Sequence, residues 1–202
     1  MLPHMFPDIG LVIAGYLLGS LSSAIILCRL AGLPDPREQG SGNPGATNVL
    51  RFGGRKLAIL VLLGDLLKGL LPVWAGQALG MVPATVALTG VAAFCGHLYP
   101  LYFGFRGGKG VATALGVLLG FSWLLGVVTM AIWLAMAFAF RFSSLAAISA
   151  AVAAPFLGGW LTAAPAYPSA IAFMSLLLLL RHRSNIHNLL QGREPKIGQK
   201  SP

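Results

Sequence analysis

Seven apolar segments run through this chain of 202 residues, and they limit its fold more than any other feature of the sequence. A helix needs about 20 apolar residues, within a usual range of about 17–25, to cross the hydrocarbon core of a bilayer. Only 9% of the residues are charged, whereas soluble domains average about 25%. The sequence therefore predicts an all-α polytopic membrane protein, a single integral membrane domain over residues 1–202, with apolar segments at residues 9–30, 57–75, 82–102, 111–121, 123–140, 144–162 and 168–180.

The number of spans depends on the short fourth segment, residues 111–121. If it is re-entrant, six helices cross the membrane and both termini lie on the same side. Seven crossings with the N-terminus outside instead place almost all of the 14 Lys and Arg residues on the inner side, as the positive-inside rule requires. We therefore expect seven transmembrane helices, and a cytoplasmic C-terminus whose interfacial tail covers residues 181–202. The inner cations are Arg37, Arg51, Arg55, Lys56, Arg106, Lys109, Arg141, Arg181, Arg183, Arg193, Lys196 and Lys200.

The net charge of +9 does not call for a nucleic-acid partner, because a few basic residues in each inner loop account for it. The sequence also lacks a basic stripe with interleaved aromatic residues. Small residues at a spacing of four, Gly15 with Gly19 and Gly116 with Gly120, predict close helix packing within the membrane.

The first polar stretch, GSGNPGATNVLR at residues 40–51, lies between two apolar segments. Its glycines, Gly40, Gly42 and Gly45, can adopt positive φ, so that successive backbone N–H groups point into one concavity that binds an anion. Arg51 offers a planar fork that matches a phosphate. The sequence therefore predicts a phosphate-binding loop, to which neutral hydrogen-bonding groups are added by Ser41, Asn43, Thr47 and Asn48.

The second polar stretch, GHLYPLYFGFRGGKGVAT at residues 96–113, ends in glycines and a lysine before an apolar helix. Such an arrangement favours phosphate binding. It is not a Walker A loop, because Gly110 follows Lys109 where that motif needs Ser or Thr. Two interpretations stay open for its other polar residues: His97 can be a core histidine or a site residue, and Arg106 can be a topology anchor or a ligand contact.

The third polar stretch, RHRSNIHNLLQGREPK at residues 181–196, extends the last apolar segment. His182 and Asn185 lie three residues apart and share a helix face. The stretch is either a basic amphipathic membrane anchor or part of a binding site. A separate pair, Asp65 and Lys68, lies inside the second apolar segment, where it either locks helices together or contacts a substrate.

Few groups in this sequence can act as a base or hold a metal ion. It has only five acidic residues, spread over five places in the chain, so two-metal phosphoryl transfer is poorly supported. No histidine is followed five positions later by aspartate, which excludes the HxxxxD dyad of the common glycerolipid acyltransferases. A site that positions phosphates without obvious bases suits an alcohol that attacks an already activated, phosphate-bearing donor.

The three stretches, in their order along the whole chain, closely resemble the bacterial acyl-phosphate:glycerol-3-phosphate acyltransferase family. The resemblance implies transfer of an acyl group from acyl-phosphate to the sn-1 hydroxyl of glycerol 3-phosphate. The products would be 1-acyl-glycerol 3-phosphate (lysophosphatidic acid) and inorganic phosphate, in the first committed step of phospholipid biosynthesis. It implies no cofactor and no metal, and an active site that faces the cytoplasm at the bacterial inner membrane.

Site residues follow from the stretches and from the resemblance together. Ser41, Arg51 and Lys109 match the family's catalytic positions, and His182 and Asn185 match those that hold glycerol 3-phosphate. The full set of expected substrate-binding residues is Gly40, Gly42, Asn43, Thr47, Asn48, His97, Arg106, Gly107, Gly108, Gly110, His182 and Asn185. The expected partners are glycerol 3-phosphate, acyl-phosphate, membrane lipid and the enzyme that supplies acyl-phosphate.

Two questions remain open at this level. The proton of the attacking hydroxyl goes either to His182 or to a phosphate oxygen of a substrate, and the scarcity of bases favours the phosphate. The alternative function is a membrane transporter of phosphate-bearing anions. The polar stretches argue against it because all three fall on one predicted side, whereas alternating access needs a central site. A membrane transferase for isoprenoid or CDP-alcohol phosphates would need an aspartate-rich metal motif, which the sequence lacks.

Overall fold

The computed structural model describes residues 5–199, which form helices and no strand, and this confirms the all-α prediction. Lys200 and the rest of the predicted tail after Gln199 lie outside the described residues. The elements are α1 (Met5–Gly19), α2 (Ser23–Leu30), α3 (Ala46–Phe52), α4 (Gly54–Ala78), α5 (Pro83–Leu98), a 3₁₀ turn (Leu101–Phe103), α6 (Val111–Phe121), α7 (Trp123–Phe140), α8 (Ser143–Leu161), α9 (Ala166–Arg181) and α10 (Arg183–Leu190).

All seven apolar segments are helical, but they differ in length. Within residues 5–199, four stretches are long and apolar enough to cross a membrane: α4, α5 with the 3₁₀ turn, α7 and α8. The first segment is two helices, α1 and α2, that meet at an angle of 44° and can together form a fifth. Because α6 and α9 are shorter, with 11 and 16 residues, the count of seven spans stays a prediction.

The break between α1 and α2 is stabilised by a lysine from α4. Lys68 donates a hydrogen bond from Nζ to the carbonyl oxygen of Leu21, at 2.8 Å. The same Nζ lies 2.9 Å from Oδ1 of Asp65, and both charged side chains are buried. Of the two roles considered for this pair, these contacts favour the structural one, because the lysine satisfies a carbonyl that the helix break leaves without an intrahelical donor.

The glycine pairs lie where helices approach closely, as their spacing predicts. The helices α1 and α5 approach so closely that a Cβ atom added to Gly19 would overlap the main chain of Ala93. The helices α6 and α4 are equally close, because a Cβ atom added to Gly116 would overlap the carbonyl of Leu66. The helices α7, α8 and α9 pack in sequence, and the core between the helices includes Phe94, Leu98, Leu125 and Ile171.

The polar connectors of the chain contact one another. Arg37, in the connector before α3, donates from Nη1 to the carbonyl of Phe103 after α5, at 2.9 Å. Near the C-terminus, the N–H of Ile197 donates to the carbonyl of Arg141 between α7 and α8, at 2.7 Å. The first contact joins the connectors that carry the first and second polar stretches, and the other joins the tail after the third stretch to the connector between α7 and α8.

Candidate active site

Asn48 holds the connector that carries Ser41. Its side chain is only 1% exposed, and Nδ2 donates to the carbonyl oxygens of Pro36 and Gln39 at 2.9 and 2.8 Å. Its Oδ1 accepts the N–H of Ser41 at 3.0 Å. Asn48 thus fixes the shape of this loop, and its expected place among the substrate-binding residues stays a prediction.

Two of the three glycines in the first stretch have the expected left-handed conformation. Gly40 has φ of 54° and Gly42 has φ of 67°. A Cβ atom at Gly40 would also overlap Oδ1 of Asn48, so glycine permits this close approach. The same expectation is wrong for Gly45, which is extended at φ of −148°. Its carbonyl accepts the N–H groups of Asn48 and Val49 and thereby starts α3.

The second half of the first stretch is a short helix, not a loop, so Arg51 lies in the last turn of α3. Earlier in that helix, Thr47 is exposed and its Oγ1 lies 3.3 Å from Oγ of Ser143. Ser41 is exposed and Asn43 half-buried in the loop before it. A cavity of about 160 Å³ opens beside the helix, lined by Thr47, Leu50, Arg51, Ile197, Gly198 and Gln199.

His97 supports the second stretch from the membrane side. The N–H of Gly108 donates to the carbonyl of His97 at 3.2 Å, and a Cβ atom at Gly108 would overlap the imidazole. Nδ1 of the buried His97 lies 3.6 Å from Oδ1 of Asp65. These contacts favour the core interpretation of His97, and direct binding of substrate by this residue stays a prediction. Gly110, at φ of 85°, precedes the first residue of α6.

Arg181 holds the same glycines from the other side. Nη2 donates to the carbonyl of Gly107 at 2.8 Å and Nε to the carbonyl of Gly108 at 3.2 Å. The guanidinium also lies over the ring of Tyr99, 5.7 Å from its centroid. The sequence placed this arginine among the inner cations, in a stretch that is either a membrane anchor or part of a binding site, and did not single it out as a site residue.

Lys109 joins the second polar stretch to the third. Its Nζ donates to Oδ1 of Asn185 at 2.5 Å. Nδ2 of Asn185 donates to Oε1 of Glu194 at 2.7 Å, and that oxygen also accepts from Oγ of Ser144 at 2.6 Å. A chain of hydrogen bonds therefore runs from the GGKG loop through α10 and the C-terminal tail to α8.

The electrostatics show that the first stretch belongs to the same cluster. Burial lowers the pKa of Lys109, the Glu194 carboxylate raises it again in part, and the charges of Arg181 and Arg51 lower it further. Three cations, Lys109, Arg181 and Arg51, surround the single carboxylate of Glu194, so the site has a net positive charge. Such a site has the electrostatics that an anionic substrate needs.

His182 lies at the junction of α9 and α10, buried at 3% exposure. Its Nδ1 lies 2.9 Å from the carbonyl oxygen of Leu178. Burial lowers the pKa of His182 to about 4, and the positive charges of Lys109 and Arg181 act in the same direction. The imidazole is therefore neutral at physiological pH.

The structure thus brings together Arg51, Lys109, His182 and Asn185, and it places Ser41, Asn43 and Thr47 in the adjoining loop and helix. Arg106, also expected to bind substrate, is exposed just after the 3₁₀ turn, and this role stays a prediction. Residues 5–199 contain no group of three His, Cys, Asp or Glu side chains that could hold a metal ion.

Sequence reasoning missed three residues of this cluster: Ser144, Arg181 and Glu194. The sequence held a weak signal for Glu194, because it is the one acid in the basic third stretch. It held none for Ser144, which is one of several small polar residues in an apolar segment.

Comparison with known proteins gives one consistent result. Residues 9–192 match the family described as glycerol-3-phosphate acyltransferase. Proteins named glycerol-3-phosphate acyltransferase from Thioalkalivibrio sulfidiphilus and Methylococcus capsulatus are 56% and 55% identical, over 95% and 92% of this chain and 94% and 93% of theirs.

A solved structure has the same fold. The crystal structure of PlsY (YgiH), an integral membrane glycerol 3-phosphate acyltransferase, in its glycerol 3-phosphate form, has a TM-score of 0.90 and 39% sequence identity, covering 95% of this chain and 96% of that one. Its lysophosphatidic acid form has a TM-score of 0.88. The comparisons give no support to the transporter alternative. This chain is a multi-pass membrane protein and belongs to the glycerol-3-phosphate acyltransferase family.

Proposed function

We propose that this acyltransferase takes its acyl group from acyl-phosphate and transfers it to the sn-1 hydroxyl of glycerol 3-phosphate, releasing lysophosphatidic acid and inorganic phosphate. The observation that carries the proposal is the contact between Lys109 and Asn185, within range of the charge of Arg51. Around this contact lie cations and neutral hydrogen-bond donors, but the described residues provide no pair of carboxylates there. That arrangement suits a donor whose leaving group is itself an anion.

Each cation has a role in this scheme. Arg51 and Lys109 bind the substrate phosphates, and the hydroxyl of Ser41 adds a neutral donor from the adjoining loop. His182 and Asn185 hold glycerol 3-phosphate on the side of α10. The related structures exist in a glycerol 3-phosphate form and a lysophosphatidic acid form, which supports these two molecules as acceptor and product. The hydroxyl oxygen attacks the acyl carbonyl carbon, the bond from that carbon to the phosphate oxygen breaks, and phosphate leaves.

The proton of the attacking hydroxyl passes to a phosphate oxygen in this proposal. An effective general base has a pKa near the working pH, whereas burial lowers that of His182 to about 4. The neutral imidazole is instead suited to hydrogen bonding with the acceptor. No metal ion and no cofactor take part in this scheme.

The site faces the cytoplasm of the bacterial inner membrane in the same proposal. Seven spans with the N-terminus outside, in a single domain over residues 1–202, place the basic connectors and the tail at 181–202 on the cytoplasmic side, next to membrane lipid. Acyl-phosphate then reaches the site from the enzyme that makes it, which we expect to be a partner.

The test uses the purified protein in detergent with glycerol 3-phosphate and palmitoyl-phosphate. We expect equimolar phosphate and lysophosphatidic acid, unchanged by EDTA, and no product when palmitoyl-CoA replaces palmitoyl-phosphate. Arg55→Lys, an exposed arginine at the start of α4, serves as the control preparation. Transfer from palmitoyl-CoA, or loss of activity in EDTA that Mg²⁺ restores, would show that the proposed donor or chemistry is wrong.

A further inference from the structure

Arg181 clamps the loop that carries Lys109, although its side chain takes no part in the proposed chemistry. Its two hydrogen bonds go to consecutive carbonyl oxygens, those of Gly107 and Gly108, which immediately precede Lys109. A planar guanidinium can reach two such acceptors at once, whereas an ammonium group reaches them only as a point charge. The ring of Tyr99 supports the guanidinium from below.

The peptide units of the loop are held on both sides. While their carbonyls point to Arg181, the N–H of Gly108 points to the carbonyl of His97. Glycine is needed here, because a Cβ atom at Gly107 would overlap the carbonyl oxygens of His97 and Leu98. With its two preceding residues fixed, Lys109 is set in the position from which it reaches Asn185.

The direction of the carbonyls matters for an anion. A carbonyl oxygen carries a partial negative charge, and two of them beside a phosphate would repel it. Arg181 neutralises both and keeps them directed at itself. Within residues 107–110, Lys109 is then the cation that is available to the substrate.

We infer that Arg181 is a positioning residue of this acyltransferase: by binding the carbonyls of Gly107 and Gly108, it holds Lys109 against Asn185 and keeps the loop receptive to the phosphate of glycerol 3-phosphate. This inference rests on the proposed role of Lys109 in phosphate binding.

The test compares Arg181→Met and Arg181→Lys with Arg183→Met, a control that removes an exposed arginine two residues away. We expect Arg181→Met to lower kcat/KM for glycerol 3-phosphate by about 10- to 100-fold, the usual effect of a small misplacement of a catalytic group. Arg181→Lys should recover part of this loss, and Arg183→Met should match the wild type. Wild-type kinetics in Arg181→Met would overturn the inference.

A pH profile separates positioning at Lys109 from a general loss of structure. Lys109 is charged below its pKa, so activity falls as the pH rises through that value. The groups that face it are Arg51 from α3, Arg181 and His182 at the end of α9, and Glu194 from the tail. Because the charge of Arg181 lowers the pKa of Lys109, its removal should shift the basic limb to higher pH. Arg181→Lys and Arg183→Met should leave that limb in place, and an unmoved limb in Arg181→Met would count against the inference.

Calorimetric binding of glycerol 3-phosphate to the same variants keeps the two proposals apart, since it needs no acyl donor. We expect about tenfold weaker binding for Arg181→Met and unchanged binding for Arg183→Met. Unchanged binding in both variants would overturn the inference whatever donor the enzyme uses. If Arg181→Met does not fold, Arg181→Lys decides: about tenfold lower kcat/KM supports the positioning role, and the wild-type value refutes it.

Discussion

Nζ of Lys109 lies 2.5 Å from Oδ1 of Asn185, although the two residues are 76 positions apart in the chain. The amide group of Asn185 is used at both ends, because its Nδ2 donates to Glu194. Asn185 therefore orients the lysine and separates it from the carboxylate, which would otherwise pair with Lys109 and cancel the charge that a phosphate needs.

Replacement of Asn185 by alanine removes both of these contacts. We expect kcat/KM for glycerol 3-phosphate to fall by about 10- to 100-fold, the effect of losing a hydrogen bond to a charged group. Asn188→Ala is the matched control, since Asn188 lies on the same helix and, among the described residues, no hydrogen bond of its side chain is found. Steady-state kinetics of both variants at one pH check this, and equal losses in the two would contradict the assigned role.

Replacement of Arg51 by lysine keeps the charge but removes the planar fork. We expect activity to fall by about tenfold or more with expression intact, because a lysine cannot hold a phosphate with two parallel hydrogen bonds. The measurement is phosphate release at saturating palmitoyl-phosphate, with membrane levels of the protein determined in parallel. Normal kinetics would mean that Arg51 only anchors the topology of the chain.

Replacement of His182 by alanine tests which group accepts the proton of the attacking hydroxyl. If His182 only holds glycerol 3-phosphate, KM for that substrate rises while kcat stays within roughly tenfold. Loss of a general base would instead lower kcat by about 10²–10⁴-fold. We expect the first pattern, which glycerol 3-phosphate saturation curves of the wild type and His182→Ala will reveal. A collapse of kcat at unchanged KM would make His182 the base.

The buried imidazole also predicts a pH dependence of stability. The pKa of His182 is lowered to about 4 by burial, whereas an exposed histidine titrates near 6.5. Between these values the unfolded chain binds a proton that the folded protein does not, so stability falls as the pH drops from about 6.5 to 4, by on the order of 1–2 kcal/mol at pH 5.

Thermal unfolding in detergent at pH 7 and pH 5 checks this expectation. His182→Gln should lose less stability on acidification than the wild type, because its side chain does not titrate. His187→Gln, which replaces an exposed histidine on α10, should retain the slope of the wild type. Identical slopes in all three proteins would show that His182 is not held neutral.

The helical segments could be predicted because each apolar run carries its own signal of length and composition. The break at Ser20–Ser22 could not, since it lies inside one such run and depends on Lys68, a residue of another helix. Gly45 shows the opposite limit. A glycine can adopt a positive φ, but Gly45 is the N-cap residue of α3, and an N-cap residue typically has extended backbone dihedrals. Its carbonyl accepts the first two hydrogen bonds of that helix.

The three polar stretches likewise predicted where the site gathers but not how its members pair. Arg181 satisfies the positive-inside rule whatever it contacts, so its bonds to the GGKG loop left no mark on the sequence pattern. The hydrogen bond from Asn185 to Glu194 depends on how the tail folds back onto α10. The spacing of apolar residues in the sequence carries no information about that fold of the tail.

The placement of Asp65 and Lys68 on one helix has a consequence for how the chain enters the bilayer. Because the two charges are three residues apart on α4, they can neutralise each other as soon as that helix forms. Insertion of α4 then does not depend on the break between α1 and α2, where the Leu21 carbonyl accepts a hydrogen bond from the lysine in the folded protein. We expect Asp65→Asn to lower the inserted fraction of an isolated α4 segment in a glycosylation-mapping assay, and Asp65→Asn with Lys68→Met to restore it. Equal insertion of all three segments would show that the pair matters only in the assembled bundle.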